Sequence, residues 1–309
     1  MRTAYISHPL CSVHEMGADH PESPARLAAI QDQLIADGLW PLLTPLEARP
    51  ASDAELERVH PREYIARLEE MTPGRGIVGI DPDTWVNPHT VAAARVAAGA
   101  NLLAVDEIMA GRLDRAFCAV RPPGHHAERA QAMGFCFFNN VALGVRHAQV
   151  CHGIERVAVL DFDVHQGNGT ESLLADVPGV LFCSTFQHPF YPFTPLRHDR
   201  PRLINVPLLA GAGGSDFREA VADTWLPALR EFAPQLLFIS AGFDAHHEDL
   251  MADLHLTEAD YAWVTRELVR VAERSAAGRI VSSLEGGYHL PALARSASAH
   301  IKVLAGLSG

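Results

Sequence analysis

The sequence predicts one α/β domain built on a mostly parallel sheet with helices on both faces. Three observations carry this. Short apolar runs alternate with helical segments along all 309 residues. The runs are continuous rather than alternating, as strands buried on both faces are. No linker and no internal repeat divides the chain, so residues 1–309 read as a single domain of alternating strands and helices. A hydrophobic content of 48% supports a large core.

Residues 3–6 read as the first strand. Ser23-Pro24 opens a helix with Leu27, Ile30 and Leu34 on one face, and Gly38 closes it. Ser52 with Glu55 makes a capping box ahead of Leu56 and Val59. The alanine-rich run 91–110 is a long helix closed by Gly111, and 140–151 is a second closed by Gly153. Helices follow at 216–232, at 258–277 after Thr257 with Asp260 and before Gly278, and at 292–304. Between them lie strands at 116–120, 157–160, 180–183, 236–240 and 280–284.

Composition excludes several functions. A net charge of −12 leaves no electrostatic footprint for nucleic acid. No stretch approaches the roughly 18 apolar residues of a membrane helix. Residues 1–10 lack the layout of a signal peptide, so a cytoplasmic location is expected. The five cysteines show no CxxC spacing and read as buried reduced thiols. Histidine is abundant, with 17 in the chain.

In open parallel sheets, ligands bind beyond the carboxyl ends of the strands. Four of the strands run into loops of one character there. These are Arg121-Pro122-Pro123-Gly124-His125-His126, Asp161-Phe162-Asp163-Val164-His165-Gln166-Gly167-Asn168-Gly169, Ala241-Gly242-Phe243-Asp244 and Glu285-Gly286-Gly287-Tyr288. An isolated DxDxH has a plain explanation, in which the aspartates cap the next helix and the histidine packs. Four such loops on one rim exceed what folding alone needs.

Asp163 and His165, two apart on a segment read as extended, point the same way. With Asp244 they make two carboxylates and one imidazole, the three-ligand layout of a catalytic zinc with open positions. The same donors would accept iron or cobalt. His125 and His126, behind a rigid Pro-Pro-Gly turn, are general acid/base candidates. Asp161 is an orienting partner for one and Asn168 for the other. Tyr288, after two glycines, is placed to donate a hydrogen bond to a developing oxyanion.

These residues carry a resemblance. With Gly134-Phe135-Cys136-Phe137-Phe138-Asn139-Asn140 and His20-Pro21-Glu22, the chain resembles the histone deacetylase and acetylpolyamine amidohydrolase superfamily over nearly its whole length. Asn168 and the Ala-Gly-Phe-Asp form look like its class II branch. The resemblance implies an arginase-like fold with an eight-stranded parallel sheet, and zinc on Asp163, His165 and Asp244. It implies His126 as general base, His125 as its electrostatic partner and Tyr288 as oxyanion donor. It implies a substrate tunnel walled by Phe135 and by Phe190 or Tyr191, with Gly134 accepting the substrate amide. It implies a structural potassium held by backbone oxygens of Asp161, Asp163 and His165 together with Ser184 and Thr185.

There are departures. Gln166 stands where a histidine often follows the ligand, and Phe193 where glycine is common in the tunnel loop. His289 follows Tyr288; the register keeps tyrosine at the position where some class II members carry histidine, so a competent enzyme is expected. Polyamine-specific relatives place a glutamate seven residues after the third ligand, and here that position is Met251. The expected partner is therefore an acetylated lysine or a small N-acyl amine, with an acetylpolyamine as the alternative and Glu248, Asp249 and Asp253 as acidic neighbours. Two other readings compete: a two-metal hydrolase of the arginase type, which wants more aspartates on this rim, and a catalytically weak acyl-lysine-binding protein. An oligomer is compatible with the sequence.

Overall fold

The computed structural model describes residues 1–197 and 200–307. Eight strands form one parallel sheet in the order β2-β1-β5-β10-β9-β6-β7-β8. They are β1 (Thr3–Ser7), β2 (Thr44–Glu47), β5 (Arg115–Cys118), β6 (Val157–Asp161), β7 (Val180–Gln187), β8 (Leu203–Leu208), β9 (Leu236–Ala241) and β10 (Ile280–Leu284). Two further short strands, β3 (Val78–Gly79) and β4 (Trp85–Val86), pair as a separate antiparallel ribbon.

The continuous apolar runs are the interior strands. Every residue of β5, β6, β7, β9 and β10 is buried. The two outermost strands escaped the sequence pattern for a physical reason. β2 is largely exposed and β8 half-buried, and each carries a proline (Pro45, Pro207), which edge strands tolerate because one row of N–H groups is not needed for pairing.

Helices α1 (Ala25–Ala36), α9 (Glu258–Ser275) and α10 (Leu290–Leu304) pack side by side, while α4 (Thr90–Met109) and α5 (Asn140–His152) form a second pair. The short helices are α2 (Asp53–Leu56), α3 (Arg62–Met71), α6 (Asn168–Leu174), α7 (Gly214–Ala220) and α8 (Leu226–Phe232). The capping boxes at Ser52/Glu55 and Thr257/Asp260 are both formed. The helix expected over 216–232 is interrupted. A wide π turn at Val221–Trp225 joins α7 to α8 just ahead of Pro227, whose ring would clash with the carbonyl of a regular preceding turn.

Sheet order gives the fold its functional consequence. The four loops singled out above follow β5, β10, β9 and β6, and these are four adjacent strands at the centre of the sheet. Loops far apart in sequence therefore share one rim.

Candidate active site

Beyond β6 the chain does not stay extended. It bends through residues 163–165 before α6 begins, so the alternation argument for Asp163 and His165 is corrected. The bend itself brings them together: Asp163 Oδ1 accepts the His165 backbone N–H at 2.9 Å and lies 2.9 Å from its Nδ1. Asp244 Oδ2 reaches the same Nδ1 at 3.4 Å. The ligating atoms of Asp163, His165 and Asp244 lie within 4.8 Å of one another, and all three residues are buried.

The outer carboxylate oxygens are fixed by backbone donors. Asp163 Oδ2 accepts from Gly286 N–H (2.8 Å) and Asp244 Oδ1 from Val164 N–H (3.0 Å). Asp244 Oδ2 is buried with no hydrogen-bond partner. Gly286 lets the loop come this close, since a Cβ there would sit 1.9 Å from Asp244 Oδ2. The cluster is thus two ordered carboxylates and an imidazole with one acceptor left open.

The adjacent histidines stack at 4.0 Å between centroids but have different partners. His125 Nδ1 lies 3.1 Å from Asp161 Oδ2, and its Nε2 lies 3.8 Å from Asp163 Oδ1. His126 Nδ1 meets Asn168 Oδ1 at 2.7 Å. Each histidine thus has the orienting partner that sequence supplied without assigning. Burial disfavours the charge on His125, but Asp163 and Asp161 outweigh it and push its pKa up to about 10. For His126, burial acts together with the neighbouring His125 and His165 to hold the pKa well below the usual imidazole value. One ring is held charged and the other neutral, 4.0 Å apart.

Burial and the adjacent Asp163 carboxylate raise Asp244 to about 6. Burial likewise raises Glu285, to about 7, against the pull of His125. Glu285 received no role from sequence. Its Oε2 accepts the N–H groups of Gly124 (2.7 Å) and His125 (3.1 Å), and its Oε1 meets Ser240 Oγ (3.2 Å), so it ties three strand ends together.

The loop that carries Tyr288 is held by Arg26, which sequence also passed over. The Arg26 guanidinium donates to Gly287 O at 2.6 Å and to Glu285 O, and lies 5.0 Å from the centre of the Tyr288 ring. Glu22 bonds both Arg26 and Arg121, and all three are fully buried. Burial and the Asp244 charge raise the Tyr288 phenol well above its usual value, so it stays a donor.

Aromatic rings surround this spot. Phe135 packs edge-on to Tyr288 at 5.8 Å, Phe190 stacks on His165 at 5.4 Å, and Tyr191 stands edge-on to His126 at 5.2 Å. Gly134 has φ +55, and a Cβ there would lie 2.4 Å from His126 Cδ2. Phe193 has φ +59, the left-handed backbone that glycine adopts easily, which explains why glycine suits this position; the residue is 75% exposed. Met251 is half-buried in the loop beyond Asp244. Ser184, paired with Asp161 in register, and Thr185 present buried hydroxyls without hydrogen-bond partners. Of the five cysteines four are buried, whereas Cys151 is exposed, contrary to the expectation for all of them.

Fold and site together define a hydrolase framework: acid–base imidazoles beside a metal-competent cluster at the carboxyl ends of a parallel sheet. The chain belongs to the histone deacetylase family, whose domain description, Histone deacetylase domain, matches residues 20–304. It is 38% identical over 312 residues to a histone deacetylase-like amidohydrolase of Pseudomonas aeruginosa, covering 93% of this chain and 82% of that one. It is 36% identical to a probable deacetylase of Archaeoglobus fulgidus, covering 93% and 82%. A human protein named polyamine deacetylase is 36% identical over 99% of this chain and 48% of its own length. Among solved structures, that of the HDA15 HD domain superposes with a TM-score of 0.92 at 35% identity, covering 99% of this chain and 90% of that one. The resemblance read from the motifs and the eight-stranded fold are both borne out. Among the described residues no helix is long and apolar enough to cross a membrane.

Proposed function

We propose that residues 1–309 form one zinc-dependent deacetylase domain that hydrolyses N-acyl amides, acting on acetyl-lysine-type substrates. The observation that carries this reading is the buried Asp244 Oδ2 inside the Asp163–His165–Asp244 cluster, which makes no hydrogen bond and lies 3.4 Å from the His165 imidazole. A buried acceptor of this kind is costly unless a cation meets it. Two carboxylates and one imidazole fit zinc with open positions. When bound, the ion supplies Lewis-acid polarisation of an amide carbonyl and acidifies water.

The chain's own groups do the remainder. Neutral His126, oriented by Asn168, accepts a proton from the attacking water. Charged His125, held by Asp161, stabilises the negative charge that develops, and the histidine pair returns a proton to the departing amine. The Tyr288 hydroxyl donates to the oxyanion. Phe135, Phe190 and Tyr191 wall an acyl-lysine tunnel, and the Gly134 carbonyl accepts the substrate amide. The orphan hydroxyls of Ser184, in register with Asp161, and of Thr185 suit a structural potassium ion held with backbone oxygens of Asp161, Asp163 and His165.

The structure bears on the choice between acyl-lysine and acetylpolyamine. A distant ammonium needs a free carboxylate to offset its desolvation. Met251 supplies none, Asp249 is 4% exposed and turned onto backbone N–H groups, and Glu248 is bonded to Arg295 at 2.8 Å, so of the acidic neighbours Asp253 alone is exposed. The test is steady-state turnover of a fluorogenic acetyl-lysine amide, with and without chelator, compared with N8-acetylspermidine. Chelator-sensitive turnover with higher kcat/KM for the lysine amide is expected. A higher value for the polyamine overturns the substrate assignment, and turnover by neither overturns the enzyme.

A further inference from the structure

The loop after Asp244 carries a carboxylate that none of the chemistry above uses. Asp249 is 4% exposed, yet it meets no lysine, arginine or histidine side chain among the described residues. Its Oδ2 accepts the backbone N–H of Tyr288 at 2.6 Å and that of His289 at 2.9 Å. Its Oδ1 accepts the backbone N–H of Met251 at 3.0 Å. Its own N–H donates to His246 O at 2.8 Å. One buried side chain therefore clamps the segment bearing the phenol to the rim segment 249–251.

Three other backbone groups of the phenol's loop are held elsewhere. Gly286 N–H binds Asp163, Gly286 O accepts from Phe243 N–H at 3.0 Å, and Gly287 O is held by Arg26. The N–H groups of Tyr288 and His289 both go to Asp249. Charge-assisted bonds to backbone N–H are the stronger kind and give a fixed direction. The opposite end of the clamp is open to solvent: Leu250 is 98% exposed.

We propose that Asp249 is a positioning residue for Tyr288, holding the phenol in register with the Asp163–His165–Asp244 cluster and tying it to the substrate-facing rim at Leu250 and Met251. This rests on the proposed deacetylase reading for its kinetic consequence, though not for its geometric one. The clamp acts on where the hydroxyl stands when the oxyanion forms, so its loss lowers kcat rather than raising KM.

The experiment uses the full chain as Asp249→Asn, Asp249→Ala, Tyr288→Phe and the double variant Asp249→Asn/Tyr288→Phe. Kinetics on the fluorogenic acetyl-lysine amide, metal content and a crystal structure of Asp249→Ala are read together. Asp249→Asn is expected to lower kcat about tenfold, below the roughly 10²–10³ ceiling of losing the donor itself, with KM and bound metal near those of the parent. The double variant is expected to turn over no more slowly than Tyr288→Phe alone, because both changes remove one function. The crystal structure is expected to show residues 287–289 displaced while Asp163, His165 and Asp244 stay in place. Losses that multiply in the double variant, or lost metal in Asp249→Asn, overturn the proposal. So does an unmoved Tyr288 in the Asp249→Ala structure, whatever the activity. An inactive parent protein overturns the deacetylase reading instead, and the crystal structure then decides the clamp alone.

Discussion

Of the three groups of ligand-type side chains that meet among the described residues, two combine aspartate with histidine, and their surroundings suit a metal unequally. Asp163, His165 and Asp244 meet beyond the central strands; Asp106, His147 and His152 meet near the C-terminal ends of α4 and α5. In both, the ligand-type atoms lie within 4.8 Å of one another. The surroundings differ. Arg58 donates to His147 Nδ1 at 2.6 Å, so that nitrogen is an acceptor and the ring hydrogen sits on Nε2, facing Asp106 at 2.7 Å. A ligating imidazole needs the reverse, with a free lone pair toward the metal and an acceptor behind it. Around Asp163 and Asp244 the ion pairs among the described residues are with His125 and His165 alone, and Asp244 Oδ2 makes no hydrogen bond. The two clusters thus differ in the outer partners of their carboxylates and in the guanidinium behind one imidazole, more than in the ligand types.

The largest test of this contrast is deletion. Asp163→Ala or Asp244→Ala is expected to abolish bound metal and turnover together. Asp106→Ala is expected to leave both at the parent level, as read by elemental analysis and kcat. Normal activity in either of the first two variants would break the comparison from one side, and metal loss in Asp106→Ala from the other.

Next in size is Tyr288→Phe. It is expected to lower kcat by about 10²–10³ with little change in KM, as loss of an oxyanion donor does. An unchanged kcat would leave the tyrosine as part of the wall. Smaller again is the structural cost at the second cluster. Removing Asp106 leaves two imidazole N–H groups without their acceptor at a partly exposed site. A loss of about 1 kcal/mol, or about 2–4 °C in Tm, is expected in calorimetry, whereas an unaltered Tm would mean the clamp between α4 and α5 contributes nothing.

Much of the first cluster is legible in sequence because its residues sit in loops with local signatures. Glycine beside His, Asp or Tyr after an apolar run marks a strand end, and four such ends fall on four neighbouring strands. The second cluster has no such mark: Asp106, His147 and His152 lie inside helical runs, and only the packing of α4 on α5 joins them. The support around the first cluster is equally silent. Arg26 reaches Gly287 across 261 positions, and Arg121 reaches Glu22 across 99. Asp249 illustrates a subtler limit. Its sequence neighbourhood offers an acidic residue near the tunnel, and only the turn of the backbone shows it facing Tyr288 rather than a substrate. The edge strands β2 and β8 stayed hidden because partly exposed strands with proline carry no continuous apolar run.

A third imidazole gives the smallest effect. His60 is buried with both nitrogens bonded to backbone, Nδ1 to Arg129 O at 3.2 Å and Nε2 to Asn139 N–H at 3.0 Å. Burial pushes its pKa down to about 4, despite the stabilising Arg129 carbonyl. The folded state resists protonation that the unfolded chain accepts near the ordinary value of about 6.5. Its stabilising contribution is therefore complete above about pH 6.5 and lost as the pH falls toward 4. His60→Asn is expected to show a shallower fall of Tm between pH 7 and pH 5 than the parent. A slope as steep as the parent's would assign the acid sensitivity to other groups.

The central claim is that one of the two clusters, and only one, holds the ion that activity needs. Chelator-stripped protein titrated with Zn2+ while turnover of an acetyl-lysine amide is followed tests it most directly. The account predicts that activity is absent after stripping and returns fully at one equivalent per chain, with the same stoichiometry in Asp106→Ala. Full turnover in metal-free protein, or recovery only at a second equivalent that Asp106→Ala abolishes, would contradict it.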